Sequence, residues 1–580
     1  MPHLKTPYRS LPLSTPTVNY YDYIIGRPEL KEWPDYTVHI DVVTGERRRF
    51  RAVLERIELA AIALTTPLND GGIGLVPQQS GLVGILSENC LEFPILVLAL
   101  LKIAVPLALL PSLSTLHETV TLLKLSDIST LFVSEKMFPH ARAAAKEVGF
   151  SEDRIFILQG GVDGKISLPR LIDGVKARGL PKVPTETVQD DTLAYLVYSS
   201  GTTGLPKGVM ASHRNMVFST SQLGILSEEV SKVNPPGVLS TPEKIPVHAS
   251  VLPWYHTMGA HAFIFRLFIA PVTLVVFPQW SVDLVLKAFS LYKITHFMMV
   301  PSMTYQMIHN PKLAKIDLSS LAYATAGAAH LPPELRLAFQ RKAKSLPFLF
   351  EGYGMSECTY SAISLPFPGA LGGRFNPVRG MAGILNPSME ARILRADGTD
   401  ADYNETGELV LRGPTVVLGY WKNQKATKET FRDGWLYTGD RFYVDEQERF
   451  FYVDRIKDTL KISGKQVSPT EIENTILEHP SRFVTDVAVA GVSGERMSDE
   501  PVPRAWVVLS SAGKQQGPEA VFAALEEWTR SRLSKYKWLR GGLQVVDEIP
   551  RLPTGKILRR KLQDEFARSE NERPKAQAKL

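Results

Sequence analysis

The stretch YSSGTTGLPKGV, Tyr198 to Val209, brings three glycines, four small hydroxyl residues and one lysine together directly after the apolar run LAYLVY. The run reads as a buried strand, and the loop behind it as a nest for anions. Gly201, Gly204 and Gly208 let backbone N–H groups come close to phosphate oxygens, while Ser199, Ser200, Thr202 and Thr203 add donors and Lys207 adds a compact positive charge. The spacing differs from G-x-x-x-x-G-K-[ST], because Lys207 precedes Gly208 and Val209 stands where a metal-binding hydroxyl would be. A polyphosphate loop of another kind, and hence nucleotide chemistry, is the expectation.

Further segments follow in a fixed order: VLPWYHTMG (Val251 to Gly259), EGYGMSE (Glu351 to Glu357), GWLYTGD (Gly434 to Asp440), VDRIKDTLKISGKQVSP (Val453 to Pro469) and PRLPTGKILRR (Pro550 to Arg560). In that order and composition the chain resembles the adenylate-forming superfamily of acyl-CoA synthetases, luciferases and peptide-synthetase adenylation domains. The likeness is greatest to 4-coumarate:CoA ligase-like enzymes; it weakens before about Ala194 and does not reach the charged tail.

Periodicity supports an α/β architecture without that resemblance. Strand-like runs such as SGLVGILSE, TLFVSE, SVLPWYHT, VTLVVFP and THFMMVP alternate with helical ones such as ARAAAKEVG and VDLVLKAFSLYKI, which predicts parallel sheets covered by helices. A chain of 580 residues exceeds one ordinary core. The expected division is a large N-terminal adenylation domain over 1–454 with a β-barrel-like part, a small mobile α+β domain over 455–565, and a flexible tail over 566–580.

The resemblance implies a two-step reaction. A carboxylate attacks the α-phosphate of ATP, giving acyl-AMP and pyrophosphate, and the thiol of CoA then attacks the acyl carbonyl. Lys556 would neutralise charge at the α-phosphate as the principal catalytic residue, with Lys207 in the phosphate loop. Glu357 would hold Mg²⁺, a hard cation suited to carboxylate oxygen, and Ser356 would donate to the α-phosphate. Glu351, Gly352 and Tyr353 would meet the adenine, although Glu351 stands where many relatives carry an amide. Asp440 would accept both ribose hydroxyls, with Arg455 as a second ribose or phosphate contact.

His256 resembles the histidine lying between nucleotide and acyl sites. Met258, Ala262 and Ala329 would line the acyl pocket, and Gly327 and Ala328 would leave room for the adenine. For the second step, Lys457 matches a hinge, and Lys461, Ser463, Gly464 and Gln466 resemble the face brought in for thioester formation. Met258 and Ala262 replace more polar groups of hydroxycinnamate ligases, so the acid expected is an apolar aryl or aliphatic one. The rivals are an enzyme that hands its acyl-AMP to a carrier protein or to oxygen, and a noncatalytic nucleotide-binding homologue.

Composition excludes several other classes. A net charge of +6, dispersed along the chain, does not form the basic patch of a nucleic-acid binder. Cys90 and Cys358 are too few for a disulfide framework. The apolar stretch Leu91 to Pro111 is long enough to span a bilayer, but Lys102 and three prolines interrupt it; Arg266 and Pro271 interrupt His261 to Phe277. No transmembrane span is expected. The chain ends in Ala578-Lys579-Leu580, a close variant of the Ser-Lys-Leu address read by the peroxisomal import receptor, with the cytosol as the alternative location. Deleting these three residues from a fluorescently tagged protein should disperse it into the cytosol; unchanged peroxisomal puncta would refute the address.

Overall fold

The computed structural model describes residues 3–572, except 201–205, 238, 328–330, 332, 457, 459, 463–464, 494–500 and 553–554. Its architecture is mixed α/β, as the alternation predicts. Strands Leu82–Leu86, Leu107–Leu110, Ile128–Val133, Ile155–Ile157 and Leu193–Ser200 pair in parallel within a seven-stranded sheet. A nine-stranded sheet runs parallel through Thr37–Asp41, Thr273–Val276, Val247–Ser250, His296–Met299, Tyr323–Ala326 and Leu349–Tyr353. Apolar side chains from both sheets and their helices share one continuous core. The strand expected in SVLPWYHT closes at Ser250, because Pro253 cannot donate to a ladder and Trp254 turns inward to give its indole N–H to Ser250 Oγ at 2.8 Å.

The loop that opened the sequence reading is carried on a hairpin. Leu193–Ser200 pairs antiparallel with Pro206–Ser212, Ser199 facing Lys207. This is the structural difference from a strand-loop-helix phosphate loop: the chain returns as a strand, so its donors are framed by two strand ends. Gly208 was expected among the phosphate-binding glycines but lies inside the second strand, where a Cβ would come within 3.2 Å of Trp421 Cβ. Its missing side chain makes room for the tryptophan.

An antiparallel half-barrel of six strands includes Glu390–Leu394, Gly407–Arg412, Trp435–Val444 and Phe450–Arg455. Beyond Arg455, a hairpin of Leu460–Ile462 and Lys465–Val467 precedes a three-stranded sheet, Val484–Ser493, Pro501–Leu509 and Leu543–Val545. Helices Pro469–Leu477 and Pro518–Arg532 close one face over a core of their own, and helix Arg559–Glu572 packs on the sheet.

Among the described residues no helix is long and apolar enough to cross a membrane. The Leu91 to Pro111 stretch folds as helix Phe93–Lys102, buried at every position, followed by strand Leu107–Leu110. Lys102 is tolerated there because its ammonium reaches Glu58 Oε1 at 2.7 Å, an oxygen that also accepts from the Tyr21 hydroxyl at 2.6 Å. Breaking such a pair strands one charge in the core. Lys102→Ala should therefore cost about 3 to 5 kcal/mol in urea titrations, and adding Glu58→Leu should recover most of it; an undiminished loss in the double variant would show that the pair is not the cause.

Candidate functional site

Five chain segments meet around one cavity of about 1350 Å³. Ser199 and Lys207 enter from the hairpin, His256, Thr257 and Met258 from the turn after Trp254, and Glu351 to Glu357 from a strand end and the tight turn Ser356–Cys358. Asp440 and Arg455 come from paired strands of the half-barrel, and Lys556 from the C-terminal unit.

Glu357, 5% exposed, accepts hydrogen bonds through Oε1 from Ser199 Oγ at 3.3 Å and from the Tyr420 hydroxyl at 2.9 Å. The Lys207 ammonium lies over the Tyr420 ring at 4.6 Å. One aromatic residue thus joins the loop lysine to the buried carboxylate. Tyr420 went unseen in the sequence, where it is one aromatic in VLGYWKN. Its place arises from Gly419–Tyr420 pairing with Val209 and Met210, a contact about 210 residues away along the chain. Ser356 Oγ and Thr257 Oγ1 are 2.8 Å apart, tying the EGYGMSE turn to the segment behind His256. Gly354 is obligatory for that turn, since a Cβ there would stand 1.9 Å from the Tyr360 carbonyl oxygen.

Asp440, 2% exposed, accepts from the Tyr353 hydroxyl through Oδ2 at 2.7 Å, and Arg455 Nε stands 3.1 Å from Oδ1 without hydrogen-bond alignment. Oδ1 therefore accepts no hydrogen bond among the described residues and is open to a donor from a bound molecule. Burial lifts the Asp440 carboxyl above its ordinary range, against the pull of Arg455 and Tyr353. Lys556 shares this field: burial lowers its ammonium pKa and Arg455 adds to that, while Asp458 and Asp440 oppose it. Gly555, at φ +84°, precedes Lys556, and a Cβ on it would stand 3.6 Å from Val300 Cβ and 3.9 Å from Pro301 Cδ of the N-terminal part. His256 is driven by burial to a pKa of about 4 and its Nε2 has no hydrogen-bond partner among the described residues, so the ring is neutral near pH 7.

Gly327, Gly352, Tyr353, Met258 and Ala262 line the cavity, and a Cβ on Gly327 would meet Met258 Cε at 3.3 Å. Ser200 closes the first hairpin strand. Gly201, Thr202, Thr203, Gly204, Ala328, Ala329, Lys457, Ser463 and Gly464 lie outside the described residues. Lys461 and Gln466 face each other across their hairpin, with their side chains outside the described ones. Both cysteines are buried, and burial pushes each thiol up to about 12, in keeping with no chemical role.

The implied Mg²⁺ finds one suitable buried carboxylate, Glu357, and among the described residues no cluster of three metal-ligating side chains. A single carboxylate suits a Mg²⁺ whose remaining ligands are phosphate oxygens and water.

The AMP-binding enzyme family matches residues 28–421, and the AMP-binding enzyme C-terminal domain matches 471–556. The chain belongs to this family of adenylate-forming enzymes. Peroxisomal OPC-8:0-CoA ligase 1 of Arabidopsis thaliana is 30% identical over 90% of this chain and 89% of its own length. Luciferin 4-monooxygenase of Nipponoluciola cruciata is 35% identical over 82% and 83%. In three dimensions the anthranilate CoA ligase AuaEII, solved with anthranoyl-AMP, superposes with a TM-score of 0.80 at 24% identity, covering 97% of this chain and 99% of its own. Relatives named as CoA ligases and acyl-CoA synthetases agree with an AMP-forming acid–thiol ligase.

Glu351 offers a pH test. Its carboxyl is lifted by burial from 4.5 to about 7, although Arg336 lies 2.9 Å away and pulls the other way. Between these values the folded chain keeps a proton that the unfolded chain has released, so stability should fall as pH rises through this window. Relative to Glu351→Gln, the wild type should lose on the order of 2 kcal/mol from pH 4.5 to 7 in urea titrations; a constant difference would place the carboxyl at its ordinary value.

Proposed function

We propose that the protein is an ATP- and Mg²⁺-dependent carboxylic acid:CoA ligase that forms acyl-AMP and then acyl-CoA from an apolar aryl or aliphatic acid. The observation that carries this reading is the convergence of Lys556, Asp440, Arg455, Glu357 and Lys207 on the cavity whose other walls are Met258, Ala262 and their neighbours. A nucleotide and an acyl group would share one enclosed space, with neutral His256 between them.

In the first step one carboxylate oxygen bonds to the α-phosphorus and the bond to the pyrophosphate oxygen breaks. Negative charge accumulates on the phosphoryl oxygens and on the leaving group. Lys556 neutralises it at the α-phosphate, Lys207 and the hairpin loop meet the leaving phosphates, and Ser356 donates to the α-phosphate. Glu357 would hold Mg²⁺, which when bound would supply positive charge against the charge developing on the phosphates. Asp440 takes the ribose hydroxyls through its open Oδ1, and Arg455 fixes that carboxylate. Neutral His256 shapes the carboxylate's approach without a proton transfer.

In the second step the CoA thiolate attacks the acyl carbonyl and AMP leaves with the former carboxylate oxygen. Lys556 must withdraw first. We assign the swing to a hinge at Lys457 between 1–454 and 455–565, bringing Lys461, Ser463, Gly464 and Gln466 to the thiol. A peroxisomal location is supported by Ala578-Lys579-Leu580 and by the name of the peroxisomal Arabidopsis relative.

The test is a panel of aryl, cinnamic and short to long aliphatic acids with ATP and Mg²⁺, scored for pyrophosphate and acyl-CoA. Acyl-CoA from one acid class is expected. Pyrophosphate without acyl-CoA would move the reading to a carrier-dependent or oxygen-dependent acyl-AMP enzyme, and neither product would count for a noncatalytic homologue. Lys556→Ala should slow adenylation by about 10²- to 10³-fold while leaving ATP binding intact; near-normal adenylation would remove Lys556 from the mechanism.

A further inference from the structure

The acyl side of the cavity carries one feature at odds with a wholly apolar substrate. Arg266, reached from the short π-helical segment His261–Phe265, lines the cavity beside Ala262 and Phe263. Its Nη2 donates to the Ser219 carbonyl at 2.8 Å and lies 3.1 Å from Ser219 Oγ, and its guanidinium lies over the Tyr360 ring at 4.4 Å. The buried Nε has no hydrogen-bond partner among the described residues.

A second unpaired polar atom lines the same cavity. Asn386 is 1% exposed; its Nδ2 donates to Ser361 Oγ at 3.0 Å, and its Oδ1 accepts no hydrogen bond among the described residues. The neighbouring backbone ties this residue to Arg266: Ser361 follows Tyr360, the ring under the guanidinium, and Gln222 donates to the Pro387 carbonyl from the same helix, one turn beyond Ser219. A cation and an amide, each with one unpartnered polar atom among the described residues, thus line the same cavity, where unmet polar groups are costly. Neither belongs to the nucleotide machinery around Asp440 and Glu357.

We propose that Arg266 and Asn386 form a distal specificity site for an acid whose far end carries a hydrogen-bond acceptor, a carbonyl or a second carboxylate. This rests on the ligase reading and refines its substrate class: an apolar body between two polar ends. The guanidinium supplies the donor and countercharge. Asn386 supplies orientation, and accepts in turn from any hydroxyl the acceptor group carries.

The experiment compares acids of equal chain length ending in a methyl, a ketone or a carboxylate, reading kcat/KM for pyrophosphate release in the wild type, Arg266→Met and Arg266→Lys. The same acids are scored without ATP by the rise they cause in melting temperature, so that loss of turnover and loss of distal recognition are read separately. A wild-type preference for an acceptor-ended acid on the order of 10- to 100-fold over its methyl-ended partner is expected, because a site built for hydrogen bonding rejects the analogue that lacks it. Preference for the carboxylate over the ketone identifies recognition by charge, and the reverse identifies a neutral carbonyl. The preference should fall to about one in Arg266→Met and be partly restored in Arg266→Lys. Wild-type preference for the methyl-ended acid in both readouts would overturn the proposal, as would an equal loss for all three acids in Arg266→Met, which would mark Arg266 as a structural partner of Tyr360 and Ser219.

Discussion

The ion pair between Asp440 and Arg455, 3.1 Å apart on adjacent antiparallel strands, is the constraint on which the rest of the site depends. It sits where the half-barrel ends and the C-terminal unit begins, and Lys556 lies in its field. Burial lifts the Asp440 carboxyl and Arg455 pulls against that rise; Tyr353 occupies one of its oxygens, and the other accepts no hydrogen bond among the described residues. A charge so enclosed costs free energy unless every side is met. The arrangement is therefore a constraint on stability, and the proposed ribose contact uses the oxygen it leaves unpaired.

A second buried carboxylate lines the same cavity. The Glu357 carboxylate is buried, and Ser199 and Tyr420 hold it in one orientation while Lys207 lies over the Tyr420 ring. The strand ends of the hairpin, the turn and the edge strand are thereby positioned against each other. Preorganisation of this kind reduces the reorganisation needed as charge develops in phosphoryl transfer.

Much of this was legible in the chain. The apolar run before the glycine-rich segment announces a strand, and the order of the motifs announces the family, because each motif is local and depends on residues a few positions apart. Lys102 within an apolar stretch correctly argued against a membrane span, yet its partner Glu58 is set by helix packing that no local pattern encodes. Tyr420 was hidden for the same reason. Gly208 was misread because a glycine in a loop motif and a glycine that admits Trp421 look identical in one dimension. Arg266 and Asn386 stand 120 residues apart in ordinary apolar and turn surroundings, and only the cavity puts them together.

The central claim is that an acyl-adenylate forms in this cavity, and the fate of the carboxylate oxygen tests it most directly. With the acid labelled by ¹⁸O in both carboxylate oxygens, the AMP released during acyl-CoA formation is analysed by mass spectrometry. Attack of the carboxylate on the α-phosphate requires that AMP carry one labelled oxygen, left behind when the thiol takes the acyl group. Unlabelled AMP formed alongside acyl-CoA would contradict the account, since the acyl group would then have been activated without ever bonding to the α-phosphate.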